Sequence, residues 1–515
     1  MNRRRRAGRN EWIGLAVLAL PTVLLAVDLS VLYLALPRLS ADLGATNTDQ
    51  LWITDIYGFV TAGFLVTMGT LGDKIGRRKL LLLGGAAFGL SSIFAAYSTS
   101  VPMLISARAL MGLTGASLMP STLALISTMF RDPGERATAI AAWTSCFMVG
   151  AAIGPVIGGA LLEHFWWGSL FLLGVPVMVL LLVTGPFFLP EYKDPTAGGI
   201  DIASVVLSLA AVLPFIYGVK TLATDGVTIV AAAAAAFGVA LGVAFVIRQR
   251  TLASPLLDLR LFRNRPFSAA LLILMFGVAT QGGIMLLVSQ HLQIVEGLSP
   301  LTAGWLLMPA SVAMVAGCLV APIIARWIRP GWIISGGMAI TAAGYVALAQ
   351  VGAGDVRLLV VGVIMVFFGI GPMAVFSQDL VVGSVPQERA GSAAALSEAA
   401  GDFGIAFGVA ILGSISTAIY TRRLAVLPSM VPAEVARLVR ESLSGAAEAT
   451  HQLPGPLGRE VLTAAQNAFT VGLHAAAISS AVISLGLAIM AATVLSRVPS
   501  AVVTEEPEAL HGSGG

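Results

Sequence analysis

Charged residues are scarce in this chain: Asp, Glu, Lys and Arg make up 11% of its 515 residues, against roughly 25% in an ordinary soluble domain. Hydrophobic residues make up 57%, and the mean hydropathy is +0.89. This composition excludes a water-soluble globular protein and predicts an all-α integral membrane protein embedded in the lipid bilayer. The net charge of +3 is spread over short loops, so it indicates membrane topology and not nucleic-acid binding.

Several kinds of reactive site are also missing. The two cysteines, Cys146 and Cys318, both lie in apolar runs, so neither a disulfide framework nor a thiolate metal site is predicted. The five His residues are isolated from one another, which argues against a metal cluster. The chain has no Gly-rich phosphate loop and no clustered set of nucleophile and base. We therefore expect no enzyme activity, no metal, no cofactor and no ATP site.

Long apolar runs are what the chain has in abundance. Fourteen of them have the length of about 20 residues that a membrane helix needs. They lie near 12–36, 51–71, 80–98, 103–128, 138–162, 168–189, 201–222, 227–247, 267–290, 302–325, 332–351, 356–382, 392–419 and 470–496. The first run follows a basic N-terminus but is too long for a signal-peptide core, so it is predicted to be an uncleaved first span.

The distribution of Lys and Arg predicts the orientation. With the N-terminus in the cytoplasm, the inner segments carry 21 basic residues and the short outer loops carry three. Both termini are therefore predicted to be cytoplasmic. In the long outer segment 420–469, stretches 432–448 and 457–468 are amphipathic and fit either a helical hairpin or a solvated loop. The tail 497–515 is predicted to be disordered.

Acidic residues inside the apolar runs are the first candidates for function. Asp28 lies deep in the first run, where a charge costs roughly 2.5–3.5 kcal/mol and usually faces a cavity or a partner. Asp55 lies near the outer end of the second run. Asp379 is expected at the interface near the end of span twelve, and Asp201 as a helix cap at the start of span seven.

Glu398 and Asp402 form a pair in span thirteen, four residues apart and so on one helix face. A rise of about 1.5 Å per residue places Asp402 about 15 Å deep, near the midplane. Two carboxyl groups this close in an apolar medium favour protonation of at least one of them. Apart from Arg357 at the outer edge of span twelve, no Lys or Arg lies in the second-half spans, so we expect the pair to exchange a proton for a cationic substrate.

Arg108 and four aromatic residues complete the candidate site. Arg108 lies within span four and cannot realistically deprotonate, so it needs a buried acceptor. Trp52, Tyr57, Trp143 and Phe147 are candidates to stack on a lipophilic cation, although Trp52 equally fits an interfacial belt. The predicted substrate-binding set is Asp28, Trp52, Asp55, Tyr57, Trp143, Phe147, Glu398 and Asp402.

Three motifs carry a resemblance to the major facilitator superfamily. The loop GTLGDKIGRRK at 69–79 resembles its signature between helices two and three, which implies gating roles for Gly69, Gly72, Asp73, Gly76, Arg77 and Arg78. The stretch LISARALMG at 104–112 is similar to its fourth-helix motif, with Met111 in place of the usual Gln, and implies that Arg108 takes part in proton transfer. The string GAAIGPVIGG at 150–159 resembles its antiporter motif. Gly150, Gly154 and Gly158 form one smooth helix face, and Pro155 bends the helix. Gly159 is the last residue of the motif.

Other segments resemble one branch of that superfamily, the fourteen-helix drug:proton antiporters that export quaternary ammonium compounds and dyes. These segments are DLSVLYLALP at 28–37, LWITDIY at 51–57, FRDPGERAT at 130–138 and LFRN at 261–264. The resemblance implies six-helix bundles at 1–190 and at 261–419 with 470–496, and two inserted helices within 191–260. Together with the acids singled out above, the predicted proton-coupling residues are Asp28, Asp55, Arg108, Glu398 and Asp402.

The expected activity is proton-driven export of lipophilic, mainly monovalent cations by alternating access, by a monomer in a bacterial cell membrane. One departure from the pattern concerns dications. The loop of the second half within 317–337 has Arg326 and Arg329 but no Asp that matches Asp73, and spans nine to eleven contain no clear intramembrane acid. Two alternatives stay open: an exporter of an endogenous lipid, siderophore or neutral metabolite, and a transporter-like sensor.

Overall fold

The computed structural model describes residues 7–45, 47–193, 201–224, 228–252, 257, 259–386, 389–425 and 430–496. Its helices are α1 (Arg9–Leu43), α2 (Asn47–Ile75), α3 (Arg77–Ala96), α4 (Val101–Met129), α5 (Pro133–His164), α6 (Ser169–Leu172), α7 (Gly174–Phe188), α8 (Ile202–Thr224), α9 (Ile229–Thr251), α10 (Arg265–Gln290), α11 (Pro300–Ile324), α12 (Pro330–Leu348), α13 (Val356–Gly383), α14 (Ala390–Arg423), α15 (Ala433–Glu441), α16 (Leu443–Ala449) and α17 (Gly455–Met490). Short 3-10 turns precede α10 and α17, and π-helical turns extend α10 and α17 at His291–Val295 and Ala491–Leu495.

The all-α membrane architecture predicted from composition is confirmed. Within the described ranges, thirteen helical segments are long and apolar enough to cross a bilayer, α6 and α7 counting together as one. The apolar part of α8, Ile202–Gly218, is a shorter fourteenth. Of the two alternatives for the segment after α14, a helical hairpin or a solvated loop, neither describes all of it, because α17 already begins at Gly455 and takes in the amphipathic stretch 457–468. In the described part of the segment, α15, α16 and the 3-10 turn Thr450–Gln452 lie between these two long helices. The predicted tail 497–515 lies outside the described residues.

The helices pack as two bundles with a hairpin beside them. Helices α1–α7 pack on one another, and α10–α14 pack with α17. Across the two halves, α2 contacts α14 and α5 contacts α11. The hairpin of α8 and α9 contacts both halves, since α8 packs on α2 and on α14. The two halves therefore contact each other directly and also through the hairpin.

Glycine spacing brings α5 directly against α1. A Cβ atom added at Gly154 would lie 1.9 Å from Ser30 Oγ, and one at Gly150 would lie 2.6 Å from the Val23 carbonyl oxygen. Gly158 meets Val31 in the same way. The close helix contact predicted from the four-residue spacing is thus present, and it holds the middle of α1 in place. The side chain of Pro155 lies outside the described residues, and Gly159 faces open space.

The α8–α9 hairpin is closed at one end by polar contacts. Asp201 accepts a hydrogen bond from the backbone N–H of Ser204 at 3.1 Å, so its predicted role as a helix cap is confirmed. The same carboxylate accepts bonds from Arg248 Nε at 2.8 Å and Arg248 Nη2 at 3.1 Å. These bonds join the start of α8 to the end of α9 and make the hairpin one unit.

Candidate functional site

Asp28 and Arg108 form a buried ion pair between α1 and α4. Arg108 Nη1 donates to Asp28 Oδ2 at 2.8 Å, with the Arg108 side chain fully buried and that of Asp28 9% exposed. Arg108 Nε donates to the carbonyl oxygen of Ile53 on α2 at 3.3 Å. The pairing satisfies a charge that cannot leave the membrane interior, and it neutralises Asp28 in this conformation.

Tyr57 lies directly against this ion pair. The guanidinium carbon of Arg108 is 4.6 Å from the centroid of the Tyr57 ring, a cation–π distance. Two glycines of α4 make room for the tyrosine: a Cβ at Gly112 would lie 2.5 Å from the Tyr57 carbonyl oxygen, and one at Gly115 would lie 2.8 Å from its hydroxyl oxygen. Tyr57 is only 5% exposed. In this conformation the ring therefore contacts Arg108 and offers little surface to a substrate.

Glu398 and Asp402 lie on one face of α14. Asp402 is exposed, although α14 packs on α2, α4 and α8 as well as on α10 and α17. Glu398 is half-buried, and its Oε1 is buried without a hydrogen-bond partner among the described residues. Neither carboxyl group has an ion-pair partner within the described part of the chain. The prediction that Glu398 and Asp402 have no basic partner thus agrees with their surroundings among the described residues.

Tyr57 lies on α2, a helix of the first half that packs on α4 and on α14. Asp55 lies on the same helix, one half-turn nearer the start of α2, but its side chain lies outside the described residues. The structure therefore brings together Asp28, Arg108 and Tyr57, three of the residues that the sequence proposed, from α1, α4 and α2. Glu398 and Asp402 lie on α14, which packs on both α2 and α4.

The remaining aromatic candidates occupy different surroundings. Trp52 is 40% exposed and makes an edge contact with Phe59 at 6.5 Å between ring centroids. Phe147 is half-buried. Trp143 is 2% exposed, and its indole N–H donates to Thr122 Oγ1 at 3.2 Å inside the first bundle. Trp52 and Phe147 keep free surface for stacking, whereas Trp143 is part of the packed core in this conformation.

Asp28 also borders a narrow cleft inside the first half. The cleft lies between α1, α3, α6 and α7. Ser92 is its one other polar lining residue, and its hydroxyl has no hydrogen-bond partner among the described residues. The remaining lining is apolar, with Phe88 and Phe171 among it. The cleft is thus lined by residues of the first half, whereas Glu398 and Asp402 lie on α14 of the second half.

Contacts across the halves close one end of the bundle, which we call the closed end and define by Asp73, Arg136, Asp379 and Ser392. Asp73 Oδ1 accepts bonds from Arg77 Nη2 at 2.6 Å and from the Gly391 N–H at 3.2 Å. Its Oδ2 accepts from the Ser392 N–H at 3.1 Å and from the Ser392 hydroxyl at 3.0 Å. A carboxylate of the first half therefore caps the N-terminus of α14, where the helix dipole favours negative charge.

A second contact at the closed end joins α5 to α13. Arg136 Nε donates to Asp379 Oδ1 at 2.5 Å, with both side chains largely buried. Gly69 lies against α14, where an added Cβ would come within 2.7 Å of the Gly391 carbonyl oxygen. The sequence placed Asp379 at an interface but proposed no partner. The missed signal is that Arg136, next to span five, and Asp379, near the end of span twelve, carry opposite charges.

The basic residues after Asp73 hold the loop to its own half. Arg78 Nη1 donates to the Leu189 carbonyl oxygen at 3.1 Å, and Arg78 Nε lies 3.5 Å from Glu191 Oε2. Gly76 has a φ of 105°, a value that an L side chain rarely adopts, and it forms the tight turn between α2 and α3. Gly72 meets Leu80 across this turn. The predicted gating residues are therefore all part of the closed end or of its support.

Comparisons with known proteins agree with this arrangement. Residues 18–409 match the family model described as Major Facilitator Superfamily. The chain is 42% identical to the multidrug efflux pump LfrA of Mycolicibacterium smegmatis over 96% of this chain and 98% of that protein. It is 32% identical to the methyl viologen resistance protein SmvA of Salmonella typhimurium over 92% and 95% of the two chains. It is 29% identical to the tetracenomycin C resistance and export protein of Streptomyces glaucescens over 98% and 96%.

A solved structure supports the fold independently. The crystal structure of the human organic anion transporter MFSD10 (TETRAN) superposes with a TM-score of 0.57 at 14% identity, and the match covers 95% of this chain and all of that one. At this identity the likeness concerns the fold alone. The family model and the relatives confirm the resemblance seen in the motifs and the expectation that the chain is not an enzyme. The chain belongs to the major facilitator superfamily and is a membrane transporter akin to multidrug efflux pumps.

Proposed function

We propose that this protein is a proton-coupled efflux antiporter that exports lipophilic, mainly monovalent cations by alternating access. The observation that carries the proposal is the position of Glu398 and Asp402. Within the described residues, these two carboxyl groups have no basic partner, and they lie on α14, whose N-terminus takes part in the closed end between the halves. Such groups bind either protons or a cation, so the two compete for the same place.

The orientation of the chain follows the positive-inside rule. We place both termini in the cytoplasm with fourteen spans, as six, two and six, which makes the closed end cytoplasmic. On this assignment the bundles are 1–190 and 261–419 with 470–496, the inserted helices lie within 191–260, and 420–469 is extracellular. The conformation described here then opens toward the outside. The cell membrane of a bacterium is the proposed location, as the bacterial relatives suggest, and the proposed unit is the monomer.

The proposed cycle exchanges protons for substrate at the midplane. In the outward-open state, protons bind Glu398 and Asp402. Asp73 and Arg136 then release their partners in the second half, and the cavity opens toward the cytoplasm. A lipophilic cation displaces the protons, helped by the exposed ring of Trp52 and the half-buried ring of Phe147. Return to the outward-open state releases the cation, and the proton gradient drives the cycle without a cofactor.

Substrate charge is the open detail of this proposal. Asp28 is neutralised by Arg108, and spans nine to eleven have no clear acid, so the unpaired acids are concentrated on α14. This favours substrates with one charge. SmvA, however, is named for resistance to methyl viologen, which is a dication. A substrate panel must therefore contain ions of both charges.

Transport by purified protein in proteoliposomes tests the proposal. With an imposed proton gradient, ethidium should move against its concentration gradient, and collapse of the proton gradient should stop it. Methyl viologen in a parallel assay should compete less strongly than ethidium. Ethidium transport that continues unchanged after the proton gradient is collapsed would exclude antiport. Absence of any gradient-driven cation movement would favour an exporter of a lipid, siderophore or neutral metabolite, or a sensor.

A further inference from the structure

Ser92 carries a buried hydroxyl group that has no hydrogen-bond partner among the described residues. Its side chain lies on α3 and is fully buried. The adjacent Ser91 shows how a helix usually satisfies such a group, since its hydroxyl donates to the Ala87 carbonyl oxygen at 2.8 Å. A buried hydroxyl group that makes no hydrogen bond is unfavourable. We therefore expect Ser92 to bind a partner other than these protein groups.

The Ser92 side chain lines the narrow cleft that Asp28 also borders. These two residues have the only polar side chains among the described residues that line the cleft. Asp28 Oδ2 accepts a hydrogen bond from Arg108 at 2.8 Å, but a carboxylate has about four lone-pair sites and can accept more bonds. A small molecule that both donates and accepts hydrogen bonds would therefore meet a hydroxyl group and a carboxylate here.

The size of the cleft decides which molecule fits. The space that is open to the centre of a water molecule is about 10 Å³, and one water needs roughly 10–15 Å³ on this measure. An organic cation has many times the volume of a water molecule, so the exported substrate does not fit. Gly174 of α7 keeps the space beside Ser92 open, because an added Cβ there would lie 2.9 Å from Ser92 Oγ. The volume and the polar lining both indicate a single water.

We propose that one ordered water molecule binds in this cleft, accepting a hydrogen bond from the Ser92 hydroxyl group and donating one to the Asp28 carboxylate. The ion pair of Asp28 and Arg108 joins α1, α4 and the Ile53 carbonyl oxygen of α2, and the water extends this polar network to α3. Buried waters of this kind satisfy polar groups that lack other partners and are costly to remove. The site needs only these two side chains, so it is independent of the proposed proton coupling.

A high-resolution density map of the protein in lipid nanodiscs, with the closed end intact, tests the site directly. We expect density for a water within about 3 Å of both Ser92 Oγ and a carboxylate oxygen of Asp28. Ser92→Ala should remove this density. Ser91→Ala is the matched control on the same helix and should keep it, because the Ser91 hydroxyl bonds within α3. A map that shows ordered waters elsewhere in the bundle but none here would overturn the proposal, as would a direct bond between Ser92 and Asp28.

Thermal unfolding in detergent gives a second measurement, because the sign of the change depends on the water. If the water satisfies Ser92, Ser92→Ala removes a hydrogen bond, and the melting temperature should fall by about 1–3 °C relative to Ser91→Ala. If Ser92 has no partner, the same substitution removes an unsatisfied group and adds a better helix former. A melting temperature equal to or above that of Ser91→Ala would therefore contradict the proposal.

Gly174→Ala tests the space beside the hydroxyl group. Its methyl group would lie 2.9 Å from Ser92 Oγ and should displace the water, so the density should disappear although Ser92 is intact. Gly89→Ala is the matched control at the contact of α3 with α7, because an added Cβ there makes only ordinary contacts of 3.5 and 4.0 Å with Met178. Water density that persists in Gly174→Ala would contradict the assigned position.

None of these measurements uses transport, so the inference and the proposed function can fail separately. If the wild type does not export ethidium but shows the water, the proposed function alone is wrong. If the wild type exports ethidium in a gradient-dependent way and the water is missing, the inference alone is wrong.

Discussion

The two halves of the transporter treat their buried acids in opposite ways. In the first half, Asp28 is held 2.8 Å from a fully buried arginine. In the second half, Glu398 and Asp402 have no basic partner among the described residues, and Asp402 is exposed. A paired carboxylate contributes to structure and resists protonation, whereas unpaired carboxyl groups in an apolar medium favour a proton or a cationic ligand. The comparison shows that the presence or absence of a basic partner, more than the acidic residue itself, decides whether a buried carboxyl group serves structure or ligand binding.

The largest effect is expected from the unpaired acids. Asp402→Asn or Glu398→Gln removes a group that must bind and release the proton, so gradient-driven ethidium export should fall to background. Insertion and thermal stability should be unchanged or improved, since a buried charge is lost. The measurement is export from proteoliposomes together with thermal unfolding in detergent.

The control for this prediction is Asp355→Asn. Asp355 precedes α13, and its exposed side chain accepts a hydrogen bond from the nearby Gly352 N–H at 3.1 Å, so replacing this carboxylate should leave export intact. Wild-type export by both Asp402→Asn and Glu398→Gln would remove these residues from the coupling mechanism. It would also reverse the comparison, because the paired Asp28 would then be the proton carrier.

The paired acid should show its role in stability. Asp28→Asn or Arg108→Gln alone leaves a buried charge or donor unpaired and should lower the free energy of unfolding by about 3–5 kcal/mol. The double variant should recover part of this loss, with a coupling energy of about 1–3 kcal/mol. The measurement is a double-mutant cycle on the unfolding of the protein in detergent. Strictly additive losses would show that the 2.8 Å contact contributes nothing as a pair.

The closed end joins the two halves, so weakening it should shift the conformational population more modestly. Asp73→Asn removes the charge that caps α14, and Asp379→Asn removes the partner of Arg136. Each should destabilise the closed end by about 1–3 kcal/mol. Labelling of a cysteine placed at Ala395, which is fully buried here, should become faster in both variants. The background for this assay lacks the two native cysteines.

Asp132→Asn is the matched control for the closed end. Asp132 lies at the same end but caps its own helix, accepting from the Gly134 and Glu135 N–H groups at 3.0 Å. It should therefore leave the labelling rate unchanged. If Asp132→Asn accelerates labelling as much as Asp73→Asn, the contacts between the halves are not what closes this end.

The smallest effect is expected from the partly exposed ion pair of Asp201 and Arg248 in the inserted α8–α9 hairpin. Hydrogen bonds from Arg248 and Ser204 hold the pKa of Asp201 well below its usual range. A carboxyl group with a lowered pKa stabilises the fold above its ordinary pKa of about 4, and that stabilisation is lost as the pH falls through the lowered value. Hydrogen exchange at the start of α8 should thus stay slow down to mildly acidic pH and accelerate only below it. Asp201→Asn should lose this acid dependence, and an unchanged dependence would contradict the assignment.

Much of the fold could be predicted because local composition determines it. A run of apolar residues long enough to cross the bilayer must form a helix there, since only internal hydrogen bonds satisfy its backbone. The glycines of α5 likewise predicted a close contact from spacing alone, and α1 lies there. The helix boundaries after α14 were harder to predict. The amphipathic stretch 457–468 fits a separate helix and the start of α17 equally well.

The candidate site was predicted as a set of residue types, and its geometry was not. The four-residue spacing predicted that Glu398 and Asp402 lie on one helix face, and both lie on one face of α14. It did not show that Tyr57 contacts Arg108 or that Trp143 is buried behind Thr122. Aromatic residues suit a cation site and a packed core equally well, so only the surrounding helices decide between the two.

The sequence by itself determined that this is an all-α membrane transporter of the major facilitator type, with acids at costly depths and a basic loop after α2. These properties depend on length, apolarity and motifs within one segment of chain. The tertiary structure alone decided the partners: Asp28 with Arg108 at a separation of 80 residues, Arg136 with Asp379 at 243, and Asp73 with Ser392 at 319. The physical reason is that charges interact over a few ångströms of space, and chain separation gives no measure of that distance.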